Sequence, residues 1–300
     1  MLVDAGWPAA YAPDGRDVER IRAAMADAHV QRIDNLLITH FDIDHLGDLA
    51  TLTSRIEVGR IIDNGALQSS GKGVEQSYEA YAKVRARYPH LVPSPGDRLP
   101  LSGVEVRVLT AATRMIARPL EGGGSPNAAC GGSEVRPEIA EDHEDNMSIG
   151  LLYRFGRFRM VDLADLEWAY DMRLMCPQNP VGTVDVYVSS VHAQAKAGSP
   201  ALVHGLAPRV VIVNNGARKG GDSPALEIIR RSPGLEDVWQ LHASIAAKAW
   251  NAPDDFIANI EENCAAKWIK LSARADGSFT ITNGRNGFSK TYQAHPRGAF

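Results

Sequence analysis

The apolar run Leu36-Leu37-Ile38 stops abruptly at Thr39-His40-Phe41-Asp42-Ile43-Asp44-His45-Leu46-Gly47-Asp48. Consecutive aliphatic residues closed off by polar ones predict a short buried strand, running from about Ile33 to Thr39. Leu46 to Leu52 predicts the helix that follows. His40, Asp42, Asp44 and His45, four metal-capable side chains within six positions, therefore sit at the carboxyl end of a buried strand. A turn of this kind fans imidazole and carboxylate groups toward one point, as a divalent ion requires when its water shell is replaced. A solvated acidic turn would account for any one of these residues. It does not account for the whole cluster behind a buried strand.

The rest of the chain reads as alternating elements. Asp17 can cap a helix in which Val18, Ile21, Ala24 and Met25 recur at helical spacing. Arg60-Ile61-Ile62 predicts a strand before the Asp63-Asn64-Gly65 turn. Glu75 to Arg87 predicts an amphipathic helix with Tyr78, Tyr81 and Val84 on its packed side. Val104, Val106 and Val108 alternate as a half-buried strand. From Ala112 to Asp145 the glycines of Gly122-Gly123-Gly124 and Gly131-Gly132 break all periodicity, so this stretch is expected to be a lid over the site or disordered. Ser148–Tyr153 and Phe158–Leu163 predict a hairpin turning at Phe155-Gly156-Arg157. Val184–Val188 and Val210–Val213 predict strands, and Ser199–Leu206 and Pro224–Arg231 helices, which implies a layered α/β domain. Near the end, Phe256, Ile257 and Ile260 suggest a helix. Trp268–Leu271 and Phe279–Ile281 suggest a hairpin around Asp276-Gly277, and Asn283–Tyr292 a surface loop.

Three hundred residues, 44% of them hydrophobic, suit one large domain or two small ones. A net charge of −4 does not support nucleic-acid binding, although a local basic groove would be compatible with it. No apolar run reaches membrane-spanning length, so no membrane insertion is expected. Cys130, Cys176 and Cys264 are widely spaced and are read as buried or free thiols. That reading, with no leader at the amino terminus, predicts a cytoplasmic protein, or a secreted or periplasmic one if the chain is truncated.

The motif His40-x-Asp42-x-Asp44-His45 resembles the His-x-His-x-Asp-His signature of the metallo-β-lactamase superfamily, with Asp42 in place of the second histidine. In that respect it is similar to the hydrolase domains of competence-type DNA-uptake proteins. The resemblance extends from Leu2 to about Arg231 and implies a four-layer αββα sandwich. In that family an opening hairpin precedes a turn like Asp4-Ala5-Gly6, so part of the first hairpin is expected to be lacking. The expected division is a hydrolase domain over residues 1–238 and a C-terminal extension over residues 239–300, packed on the same domain.

The resemblance also supplies the remaining ligands. Asp165, in Asp162-Leu163-Ala164-Asp165, matches the family's bridging aspartate, with Asp162 as its rival and a helix N-cap as the ordinary alternative. His192 matches the retained member of a paired histidine, although Val191 and Ala193 replace the usual histidine and glycine. Asn146-Met147-Ser148 resembles an Asn-x-Ser feature that supports the site without ligating. The implied metal set is His40, Asp42, Asp44, His45, Asp165 and His192, holding two divalent ions, with zinc expected and manganese or iron compatible with the mixed shell. A metal-bound hydroxide would attack the substrate, with Asp44 orienting it or accepting its proton. Asn215, Arg218 and Lys219, in a glycine-rich turn after a strand, could grip a phosphate or carboxylate. A histidine usual near this turn is absent, and His143 and His242 are its possible stand-ins. The expected substrate is a small-molecule or other phosphodiester, then an ester, lactone or β-lactam. The competing reading is a non-catalytic metal- or ligand-binding relative with a degenerate site.

Overall fold

The computed structural model describes residues 1–69, 74–132, 134 and 143–294. Its first half contains β1 (Leu2–Val3), α1 (Arg16–Asp27), β2 (Leu36–Leu37), α2 (Ile43–Leu46), α3 (Leu49–Arg55), β3 (Ile61–Ile62), α4 (Val74–Arg85) and β4 (His90–Leu91). The four strands lie side by side in chain order, every neighbouring pair parallel. The two-residue period of a strand sorts the apolar run. Leu36 and Ile38 pack with Val18, Leu49, Leu52, Tyr81 and Val84 of the helices, whereas Leu37 and Ile62 face a second sheet.

That second half comprises β5 (Glu105–Ala111), β6 (Arg114–Met115), β7 (Ser125–Pro126), β8 (Gly150–Phe155), β9 (Phe158–Asp162), α5 (Trp168–Met175), β10 (Gln178–Asn179), β11 (Val186–Val188), α6 (Pro200–Leu206), β12 (Val210–Val213), α7 (Ser223–Arg230), β13 (Asp237–His242) and β14 (Ile257–Asn259). β7 and β10 pair with each other, and the remaining eight strands form one sheet in the order β14-β13-β12-β11-β9-β8-β5-β6. Val106, Val108, Ile149 and Leu151 meet Leu37 and Ile62 on one face. Leu152, Val161, Tyr187, Val211 and Val213 meet α5, α6 and α7 on the other. Helices, sheet, sheet and helices thus stack as four layers of a mixed α/β fold. From β9 through β14 the neighbouring strands are parallel, so their carboxyl ends, and the loops that follow them, gather at one edge.

Several local expectations are corrected by tertiary contacts. The helix expected over Leu46–Leu52 is divided at Gly47, where a Cβ would lie 2.4 Å from the Ala5 carbonyl oxygen. Asp48 then caps α3 by accepting from the Thr51 N–H at 3.0 Å. Gly15, not Asp17, is the N-cap of α1, and the Asp17 carboxylate instead accepts from the Trp7 N–H at 3.0 Å. The Phe256–Ile260 helix is replaced by β14, because Ile257 and Asn259 register against Gln240 and His242 at the sheet edge. Strands β15 (Ile269–Ala273), β16 (Phe279–Asn283) and β17 (Ser289–Tyr292) form an antiparallel sheet, so the expected tail loop is partly a strand. Phe279, Ile281 and Tyr292 pack on Phe158, Val186, Val210 and Trp239. β13 runs across the 238/239 division expected from the sequence.

Cys130 and Cys176 are joined in a disulfide, and only Cys264 is free, contrary to the thiol reading. The pairing is invisible across a separation of 46 residues. It arises because Asn127 donates to the carbonyls of Met175 and Ala201, drawing the Cys130 turn onto the end of α5. The Ala112–Asp145 stretch is not structureless where it is described. Leu120, Gly124 and Asn127 donate backbone hydrogen bonds to Pro180, Asn179 and Pro177. Residues 133 and 135–142 of that stretch lie outside the described residues. Among the described residues no helix is long and apolar enough to cross a membrane.

Candidate metal centre

Each candidate histidine has one ring nitrogen fixed by the scaffold and the other turned inward. Asp4 accepts from the Thr39 N–H at 2.8 Å and hydroxyl at 2.9 Å, and its Oδ2 lies 2.7 Å from His45 Nδ1. His40 Nδ1 lies 3.0 Å from the Thr39 hydroxyl, and His192 Nδ1 lies 3.1 Å from the Asn214 carbonyl oxygen. These partners assign the proton to Nδ1 in His45 and His192 and leave Nε2 with a free lone pair, the usual preparation of a metal-ligating imidazole.

The inward atoms converge. His192 Nε2 is 3.4 Å from Asp165 Oδ2 and 3.9 Å from Asp44 Oδ2, and His45 Nε2 is 3.7 Å from the same Asp165 oxygen. His40 Nε2 is 3.9 Å from Asp42 Oδ2 and 3.9 Å from Asp145 Oδ1. For ligand bonds of about 2.1 Å, the edge of a coordination tetrahedron is about 3.4 Å, close to these separations. The atoms fall into the overlapping groups His40–His45–Asp165, Asp44–His45–His192 and His40–Asp42–Asp145. His40 Nε2, His192 Nε2 and Asp165 Oδ1 are buried without a hydrogen-bond partner. Buried polar atoms are nearly always paired, so three orphans spread over these overlapping groups fit bound divalent cations.

The electrostatics agree with that fit. Burial, then the charges of Asp145 and Asp44, pushes the Asp42 carboxyl up to about 7. Burial likewise opposes ionisation of Asp165, but His192 and His45 hold its carboxyl well below the usual range. The buried His40 is kept well below the usual imidazole value, chiefly by desolvation. His45 is shifted the other way, well above the usual imidazole value, its burial outweighed by Asp4 and Asp165; carboxylates crowded into one buried corner in this way are suited to a positive ion.

The backbone is strained where it presents these groups. Val191, His192 and Ala193 are three successive non-glycine residues in the left-handed region, at φ 45, 55 and 58. Asp4 and Ala164, immediately before Asp165, share it at φ 56 and 50. Each such residue costs about 1–2 kcal/mol, and strain of this kind concentrates at functional sites.

The six ligands expected from the sequence, His40, Asp42, Asp44, His45, Asp165 and His192, come together. Asp162 does not join them; its Oδ1 accepts from the Ala164 N–H at 3.0 Å. Glu167, not Asp165, is the N-cap residue of α5. Ser148 and Asn146 brace the site from behind, the Ser148 hydroxyl accepting from the Asp165 N–H and Asn146 donating to Glu167. Of the substrate candidates, Lys219 reaches the site, its Nζ 2.5 Å from Asp44 Oδ2. Arg218 is exposed and pairs with Glu262. Asn215 is buried and holds the His242 backbone, so it is not available at the mouth. His242 lies against Cys264, at 3.2 Å from its sulfur. His143 borders the site, 3.6 Å from Asp145 and 3.7 Å from Glu167.

The sequence reading missed Asp145. The signal was present in His143-Glu144-Asp145-Asn146, three metal-capable residues in succession directly before the Asn-x-Ser feature, but it was absorbed into the long glycine-rich stretch.

Residues 1–126 match the model of the metallo-beta-lactamase superfamily. Among solved structures, the chain is similar to the CmlA beta-hydroxylase E377D mutant, at 17% identity and a TM-score of 0.41, over 71% of this chain and 44% of that one. It thus spans less than half of that hydroxylase. It is also similar to the metallo-beta-lactamase fold protein YhfI from Bacillus subtilis, at 11% identity and a TM-score of 0.43, over 75% and 80% of the two chains. A possible metal-dependent hydrolase from Veillonella parvula shows 13% identity and a TM-score of 0.40, over 80% and 78%. No curated protein matches.

Proposed function

We propose that this chain is a metal-dependent hydrolase with a two-ion centre. The convergence of buried, unpartnered His40 Nε2, His192 Nε2 and Asp165 Oδ1 carries the reading. One ion would be held by His40, Asp42 and Asp145, and the other by Asp44, His45 and His192, with Asp165 between them. Four ligand carboxylates balance two divalent charges. Zinc is the first expectation for this shell of nitrogen and oxygen, and manganese or iron suits its oxygen-rich half. Ions held there supply acidification of water and polarisation of the bond to be cut.

The protein's own residues do the rest. Asp44 orients the attacking water and accepts its proton. The scaffold contacts from Asp4, Thr39 and the Asn214 carbonyl keep the imidazoles aimed. Lys219, half-exposed at the mouth and drawn to the Asp44 carboxylate, is placed to hold a substrate phosphate or carboxylate beside the reacting bond. A phosphodiester is therefore the first substrate class to test, with esters and lactones next. The same Lys219–Asp44 pair favours a second reading, in which an ammonium occupies half of the centre and the protein binds a ligand without catalysis.

Elemental analysis of the purified chain decides between them. Two ions per chain, lost in Asp165→Ala and His192→Ala, with phosphodiester hydrolysis abolished by Asp44→Asn, support the hydrolase. One loosely held ion or none, in folded protein supplied with metal, overturns it.

A further inference from the structure

Behind the half of the centre formed by His40, Asp42 and Asp145 lies a second cluster that the hydrolase reading does not use. The Lys196 ammonium contacts Asp145 Oδ2 and lies 3.0 Å from Glu167 Oε1. Both carboxylates are almost fully buried, with side chains 5% and 4% exposed. Glu167 is itself held by Asn146, and the Lys196 carbonyl accepts from the Trp168 N–H at 2.9 Å. The two oxygens of Asp145 are thereby divided: Oδ2 faces the ammonium, and Oδ1 faces His40 Nε2.

We infer that Lys196 is the positioning residue of the oxygen-rich half-site. It neutralises Glu167, engages Oδ2 of Asp145, and so presents Oδ1 alone to the ion beside His40 and Asp42. Removing the ammonium would leave the two buried carboxylates with the His143 ring, 3.6 Å from Asp145 and 3.7 Å from Glu167, too far for a hydrogen bond, and Asp145 would lose its fixed orientation. Glu167 and Lys196 touch no substrate. They act through Asp145, as outer partners of metal ligands commonly do. The half-site at Asp44, His45 and His192 is held by other groups, Asp4 on His45, the Asn214 carbonyl on His192 and Lys219 on Asp44, so the two ions should respond differently to a substitution at Lys196.

This inference rests on the two-ion reading, and the experiment separates them. Stepwise affinities of the two ions are measured by competition with a coloured chelator, using zinc alone, in the wild type, Lys196→Met, Lys196→Arg and Asp145→Asn. Lys196→Met should weaken one ion by about 10- to 100-fold and leave the other within about threefold. Lys196→Arg, which keeps the charge, should restore most of that loss. Lys196→Met combined with Asp145→Asn should lose no more than Asp145→Asn alone, because both act along one path. Unchanged affinities in Lys196→Met, or equal weakening of both ions, would overturn the inference while leaving the two-ion reading intact. A wild type that holds fewer than two ions overturns both. Circular dichroism of the metal-free variants separates a lost ligand orientation from a lost fold.

Discussion

Gly220 sits where the backbone after β12 passes against His192, and replacing it with alanine tests the site's architecture without changing any candidate ligand. Its φ of +80 already costs a side-chain-bearing residue about 1–2 kcal/mol. The added Cβ would also lie 2.2 Å from the His192 carbonyl oxygen and 2.7 Å from the His192 Cβ. Neither contact can be relieved by a side-chain rotation, so the two loop segments must separate. Separation breaks the Gly221 N–H to His192 carbonyl bond, 2.8 Å long, for roughly another 1 kcal/mol. The expected loss is about 2–3 kcal/mol, or a melting point lower by about 5 °C in a chain of this size. Because His192 moves with its carbonyl, the proposed centre should also hold less metal in protein supplied with zinc. Gly103→Ala is the control, with a φ of +81 and nothing within 4 Å of the place its methyl group would take. It should lose only the conformational term of about 1–2 kcal/mol and keep its metal. Thermal denaturation and elemental analysis of both variants provide the comparison. If Gly220→Ala melts with Gly103→Ala and retains wild-type zinc, the close approach to His192 is wrong.

Tyr292→Phe should destabilise the chain by about 1–3 kcal/mol in urea titration, because the buried Trp239 Nε1–H loses its acceptor at 2.9 Å and β17 keeps only Lys290 of its two contacts on Asp237. A neutral result would show that β17 does not pack as described. Asp17 faces the opposing pull of burial, but Arg16 and the Trp7 N–H hold its carboxyl below the usual range. A depressed folded value stabilises above the unfolded value of about 3.9 and loses that stabilisation as pH falls through the folded value. The stability gap between wild type and Asp17→Asn should therefore be full at pH 6 and shrink toward pH 3; a constant gap would contradict it. Thiol titration of the denatured, unreduced chain should find Cys264 alone, and Cys130→Ser should cost about 2–4 kcal/mol. Three reactive thiols would refute the Cys130–Cys176 pairing.

Strand period and residue chemistry were enough to place His40, Asp42, Asp44 and His45 at the end of a buried strand, since both signals are local: three aliphatics, then metal-capable side chains at fixed spacing. The layered α/β order was legible for the same reason. Asp165 and His192 were reachable only through resemblance, because nothing within their own segments separates a ligand from an N-cap or an ordinary buried histidine. Tertiary structure decided the rest. Asp145 acquires meaning only when the residues before β8 are brought against His40. Asn215 and Arg218 share a turn with Lys219, yet one points into the protein, one points to Glu262, and Lys219 alone reaches Asp44. Cys130 and Cys176 meet because Asn127 bonds to two distant carbonyls, and Ile257 is a strand because β13 offers an open edge. Local sequence reports a residue's own preference; which atoms face one another across the two sheets depends on packing partners tens to hundreds of residues away.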